Sequence, residues 1–208
     1  MVISSKATKS ARTAKPSSRK EQQRKSKRRS PIAREVGEQR LIESTIALIC
    51  ERPFSEVGVR DIAAHADINH GFVHVWFGSK HLLFMAARNY LIERLAHDYA
   101  NQLAGTEISV ITDPDAQLLV RLSIWLEVEG VDGIEMPQTA PLANAAAQNI
   151  TRLYGMDHEN ALNAARLGLA LAVGHIALER TFNWGKSGDA VRQQWNEVLR
   201  LLGKAHPA

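Results

Sequence analysis

The amino-acid sequence predicts an all-α fold, on three observations. Apolar residues recur at three- and four-residue spacing from Glu38 onward, no segment sustains period-two alternation, and the breaks fall at residues that start or stop helices. With 208 residues, 45% of them hydrophobic, there is enough apolar material for one sizeable core or for a small domain joined to a larger one.

The first helical pattern runs through Leu41, Ile42, Thr45, Ile46, Leu48 and Ile49 and ends at Arg52-Pro53, because proline has no N–H to continue the ladder. A second helix of about two turns is predicted by Val59, Ile62, Ala63 and Ala66. Gly58 precedes it, and Asp61 places a carboxylate at the positive end of its dipole. Asp67-Ile68-Asn69 breaks the pattern; Asn69 is expected to cap a third short helix, His70 to Phe77, that buries Val73 and Phe77 and stops at Gly78. Ser79 is expected to cap a long fourth helix through Leu83, Tyr90 and Leu95, as far as Leu103. Further helices are expected over about 115–129, from Pro141 to before Gly155, over 157–184 with Asp157 as cap, and over 187–204 with Ser187 as cap.

Charge is unevenly spread. Residues 1–35 hold twelve Lys or Arg against Glu21 and Glu35, a net of +10, whereas the remaining 173 residues hold 14 basic and 20 acidic side chains; the overall +4 is an average over unlike pieces. Residues 1–33 lack the large apolar side chains that offset ordering entropy and are expected to form a disordered basic arm. Charge alone leaves two readings of it: an arm that lies along phosphates or in a minor groove, or a solvated tail.

The single Cys50 excludes an intramolecular disulfide and a multi-cysteine zinc site, and its apolar surroundings read as core. No apolar run approaches the roughly 20 residues that cross a bilayer, and no secretory pattern follows the basic N-terminus. A cytoplasmic protein without a membrane partner is expected. Catalysis is not expected, since there is no Ser-His-Asp motif and no phosphate-cradling glycine loop. His70 and His74, four apart, lack a third ligand, so neither a metal nor a cofactor is expected.

Two short helices joined by a tight turn, the second with a polar outer face, form a helix-turn-helix that fits a recognition helix into the major groove. Once Val73 and Phe77 are buried, His70, Phe72, His74 and Val75 remain outside. The run Val59-Arg60-Asp61-Ile62-Ala63 through Gly71, Phe77, Ser79-Lys80 and Leu82-Leu83 resembles the signature of the TetR family, and with the preceding helix the match covers about residues 38–85. The resemblance implies a DNA-binding domain over 34–80 and a helical ligand-binding and dimerisation domain over 81–208. It implies that Asn69 opens the recognition helix, that His70 and Phe72, flanking Gly71, face base edges, and that Lys80 meets a phosphate. Arg60 is a candidate base or phosphate contact, and His74 can bond a phosphate or a base acceptor. The departures are His74 for the usual Tyr, Trp76 for the usual His or Tyr, Asp67 for the usual turn Gly, and Val57-Gly58 for a Thr-rich entry.

The segment from Ala161 to Leu178 is apolar nearly all round, with Leu162, Ala165, Leu169, Ala172 and Ile176 on one side and Leu167, Leu171, Gly174 and Leu178 on another. Such a helix must be covered on both sides, by its own core and by a partner's equivalent helix, with Gly168, Ala172 and Gly174 allowing close approach. The resemblance likewise implies a homodimer on duplex DNA. It also implies a pocket for a small-molecule effector with apolar surface, for which Trp125, Met136, Tyr154, His175 and Phe182 are the candidate lining residues; the alternative for each is ordinary core. The expected function is a sequence-specific transcriptional regulator, a repressor released from a palindromic operator by its ligand. Two other readings are open: a non-specific architectural DNA binder, and a helical small-molecule binder or enzyme with a vestigial helix-turn-helix.

Overall fold

The computed structural model describes residues 33–101, 111–131, 140–183 and 187–208. Among them are eight helices: α1 (Arg34–Glu51), α2 (Val59–His65), α3 (Gly71–Trp76), α4 (Lys80–Asn101), α5 (Pro114–Val128), α6 (Pro141–Tyr154), α7 (His158–Phe182) and α8 (Gly188–Ala205). The all-α reading is borne out. The expected basic arm, the extension of α4 to Leu103, and Met136 lie outside the described residues.

Local signals explain most helix starts. The Asp113 carboxylate accepts the N–H groups of Asp115 and Ala116, Asp157 accepts that of Asn160, and Ser79 accepts that of Leu82. Gly155 ends α6 at φ +64°, where a residue without Cβ carries no strain. Ser187 precedes α8 but makes no capping bond with its side chain. The third helix starts one residue later than expected: His70 is the flanking residue, while Asn69 Oδ1 accepts the Gly71 N–H at 2.8 Å, as an Asx turn does.

The turn between α2 and α3 holds Asp67 at φ +56°, closed by Ile68 N–H to Ala63 O at 2.9 Å. A side chain in this left-handed region costs about 1–2 kcal/mol, less for Asp than for most residues. Asp67→Gly is therefore expected to stabilise the fold by about 0.5–1 kcal/mol, a rise in Tm of about 2–3 °C in a thermal melt. A lower Tm would mean that contacts of the carboxylate outweigh the strain.

Three short helices cannot enclose a core, and here they do not try to. Leu41, Ile46, Ile49, Val57, Ile62 and Val73 share one continuous buried cluster with Leu83, Phe84 and Ala87 of α4 and with Leu118, Leu119, Leu122 and Leu126 of α5. Thr45 satisfies its hydroxyl on the Leu41 carbonyl at 2.7 Å, so it is buried without penalty. Phe77 is only half-buried, and Cys50, expected in the core, is exposed near the end of α1, facing away from the stripe that Leu41, Thr45, Leu48 and Ile49 bury.

A second cluster joins α6, α7 and α8 through Ala147, Ile150, Met156, Ala161, Ala164, Ala165 and Leu199. The C-terminal residues fasten it: Ala208 N–H donates to Gly155 O at 2.8 Å and Asp157 N–H to His206 O at 3.2 Å.

The helix α7 corrects one expectation from the sequence. Its residues His158–Glu179 are long and apolar enough, by length and composition, to cross a membrane. The apolarity belongs to two different sides. Ala165, Ala172 and Ile176 are buried within the subunit, while Leu167, Leu171, Leu178 and Phe182 form an exposed stripe at helical spacing. Gly168 does not serve that outer stripe; it makes room for Trp195 of α8, whose Nε1 would lie 2.9 Å from a Cβ added there.

Candidate nucleic-acid interface and interior cavity

On α3, Val73 is fully buried and anchors the helix, leaving His70, Phe72, His74 and Val75 exposed with Gly71 half-buried between them. Arg60, in the first turn of α2, is exposed as well. Phe72 stacks on Trp76 with ring centroids 4.6 Å apart and planes at 20°. Trp76 in turn lies over Gly37 of α1, where an added Cβ would fall 2.5 Å from the indole. His65 bonds Ser44 at 2.9 Å and ties α2 to α1. The arrangement is a short helix that, with its flanking His70, presents two imidazoles and an aromatic ring on a platform held from below, fit for reading base edges.

Lys80 does not take the place expected for it. Its ammonium donates to the carbonyls of Phe54 at 3.1 Å and Ser55 at 3.5 Å, and lies 5.1 Å from the Phe84 ring centroid and 5.7 Å from that of Trp125. Burial pushes its pKa below the ordinary lysine value, with Glu129 acting in the opposite direction. Unpaired carbonyls of the α1–α2 loop and two aromatic faces outcompete solvent for this side chain. What the start of α4 offers to a phosphate is its backbone amides and dipole.

Trp125 belongs to the same junction. It meets Phe54 edge-on at 5.9 Å, Phe84 at 5.4 Å and the His81 ring, stacked, at 5.6 Å, and His81 Nε2 stands 3.8 Å from Glu129 Oε2. A cluster from α4 and α5 thus grips the loop that leads into α2.

A cavity of about 470 Å³ opens among the end of α4, α6, α7 and α8, a size that suits a small organic molecule. Tyr154 lines it, as expected from the sequence. Trp125, in the junction just described, His175, buried near Gly188, and Phe182, exposed on the outer stripe of α7, lie outside its lining. Sequence reasoning missed Tyr99, Asn149, Trp195 and Asn196. The signal that could have found them was polar: Asn196 stands on the buried stripe that carries Leu199 and Gly203, an unusual place for a carboxamide.

Residues 41–87 match the family model for bacterial regulatory proteins of the tetR family. That segment is a helix-turn-helix domain of the TetR type. Over 181 residues the chain is 27% identical to an HTH-type transcriptional repressor of Mycobacterium tuberculosis (strain H37Rv), covering 84% of this chain and 89% of that one. It is 31% identical over 83 residues to the HTH-type transcriptional regulator BetI of Yersinia pestis (strain Pestoides F), 40% of each. The fold is that of the TetR family repressor AlkX of a Dietzia species, with a TM-score of 0.56 and 17% identity over 86% of this chain and 98% of that one. DNA-binding regulation of transcription is the activity that the matched domain and these relatives support.

Within this TetR-family domain, Trp76 departs from the usual recognition-helix residue and Gly37 is what admits it. Gly37→Ala is expected to push the indole aside, cost about 1–3 kcal/mol by overpacking, and weaken DNA binding as Phe72 loses its stacking partner. Adding Trp76→Phe to Gly37→Ala is expected to recover most of the lost stability. If chemical denaturation shows the single variant as stable as the parent, the close fit has no energetic weight.

Proposed function

We propose that this chain is a cytoplasmic, homodimeric repressor that binds a two-fold symmetric operator and is released from it by a small ligand with substantial apolar surface. The observation that carries this reading is the course of α4. Its first residue, Lys80, is bonded to the loop entering the helix-turn-helix, and near its other end Tyr99 lines the cavity. A molecule in that cavity therefore acts on the helix that supports α3. A ligand that binds one arrangement of α4 better than another shifts the balance between DNA-competent and DNA-incompetent states by its difference in affinity.

The exposed leucine stripe of α7 supplies a surface for a two-fold partner, and a two-fold dimer sets its recognition helices about one helical turn of DNA apart, roughly 34 Å. On α3, Phe72 and Val75 are suited to thymine methyl groups, and His70 and His74 to base acceptors or phosphates.

Selection of bound sequences from a random duplex pool, by the full-length protein at near-physiological salt, tests the reading. A two-fold symmetric consensus is the expected result. Tight, salt-sensitive binding with no enriched sequence would point instead to non-specific packaging of DNA.

A further inference from the structure

The outer side of α3 is apolar where a reader of base edges is more often polar. Phe72 is 45% exposed and Val75 is 74% exposed, and they stand three apart, on one side of the helix. Both are stiff. The Phe72 ring lies on Trp76 at 4.6 Å, and Val75, β-branched within a helix, is confined to one main rotamer.

The polar groups beside them are engaged on the backbone. Residues 69–77 contain no Arg, Lys or Gln, the side chains that grip guanine or adenine through two bonds at once. Asn69 is the one carboxamide there, and its Oδ1 accepts the Gly71 N–H at 2.8 Å, so the acceptor that an adenine amino group needs is already in use. His74 Nδ1 donates to the Gly78 carbonyl at 3.4 Å. Arg60 belongs to α2, the helix that crosses the backbone in a helix-turn-helix. With His70 as a further polar group at the helix start, what α3 itself offers to base edges is mainly apolar contact. The major groove holds one apolar group that distinguishes base pairs, the 5-methyl of thymine.

We propose that the operator is read chiefly through pyrimidine 5-methyl groups, with Phe72 and Val75 as the specificity-determining residues, so that 5-methylcytosine stands in for thymine at the contacted positions. This rests on the sequence-specific binding proposed above. It also makes binding responsive to cytosine methylation, because a methyl added at such a position is the group the two side chains meet.

The test uses the full-length protein and the duplex consensus selected from the random pool, in anisotropy titrations. Replacing thymine by uracil, position by position, removes the methyl and leaves every hydrogen-bonding group of both grooves in place. At a contacted position changed in both half-sites, binding is expected to weaken roughly fifteenfold, about fourfold for each methyl no longer buried. Changing the same T·A pair to C·G should weaken binding too, and 5-methylcytosine in that C·G pair should recover the share of the methyl. Val75→Ala and Phe72→Ala should each bind thymine and uracil duplexes nearly alike at the position that residue meets. Val75 is exposed, so its variant is expected to keep the fold, which circular dichroism checks, even where Phe72→Ala disturbs the stacking on Trp76. Thymine and uracil duplexes bound equally at every position, or a methyl preference that both variants retain in full, overturns the inference while the two-fold consensus stands. Failure to select any consensus overturns the inference and the sequence-specific reading together.

Discussion

Removing residues 1–32 is expected to weaken binding to duplex DNA by at least about a hundredfold at low salt, with the two proteins converging as salt rises. The reason lies in where the charge is. Residues 1–32 carry eleven Lys and Arg against Glu21, a net of +10. The helix-turn-helix segment, residues 33–80, carries Arg34, Arg40, Arg52, Arg60 and Lys80 against seven Asp and Glu, a net of −2. Moreover the Lys80 ammonium is held on protein carbonyls. A domain with that balance gains little from the phosphate backbone, so counterion release must come from the arm. The logarithmic salt slope is expected to flatten by about 0.9 for each phosphate that the shortened chain no longer neutralises. Fluorescence anisotropy titrations across a salt series would measure both effects, and the selected consensus should not change if base edges are left to α3 as proposed. Parallel slopes for the intact and shortened chains would show that the basic segment does not touch phosphate.

Leu171→Glu is expected to leave the subunit folded and abolish high-affinity operator binding. Leu171 borders the cavity but is 52% exposed in the subunit, so a carboxylate there costs little in the monomer. In a two-fold interface on this stripe each substitution appears twice, and two carboxylates would be taken from water without partners, at several kcal/mol each. Leu167→Glu, one turn earlier on the same stripe, should act alike. Sedimentation equilibrium would report the loss of the dimer, and circular dichroism the unchanged helix content. A dimer that survives both substitutions would place the interface elsewhere.

The fold was legible because its signals are local. Periodic leucines, the Asp157 and Ser79 caps, Pro53 and Gly155 each act within a turn or two of themselves, and the helix boundaries follow them closely. On the recognition helix, exposure follows directly from the burial of Val73. The direction of Lys80 was not legible, since a long side chain settles on whatever lies within reach, and Phe54 is 26 positions away in sequence. Trp125 looked like a cavity residue because large aromatics suit pockets; its partners Phe54, His81 and Phe84 come from two other elements. The cavity draws its walls from four helices, so Tyr154 was found while Tyr99 and Asn196 were not. Buried polarity was the better guide there than residue size.

The tie between Lys80 and the Phe54–Ser55 carbonyls makes the helix-turn-helix a rigid head on a shaft. With 22 residues, α4 is roughly 33 Å long, so a tilt of about 5° pivoting near Tyr99 carries its far end through about 3 Å. Because the loop entering α2 is fastened to that end, the helix-turn-helix is expected to travel with it. Such a displacement is close to the rise of one base-pair step, about 3.4 Å. In the ligand-released dimer proposed above, gearing of this kind would turn a small rearrangement around a bound molecule into a misfit of about one base-pair step at each head.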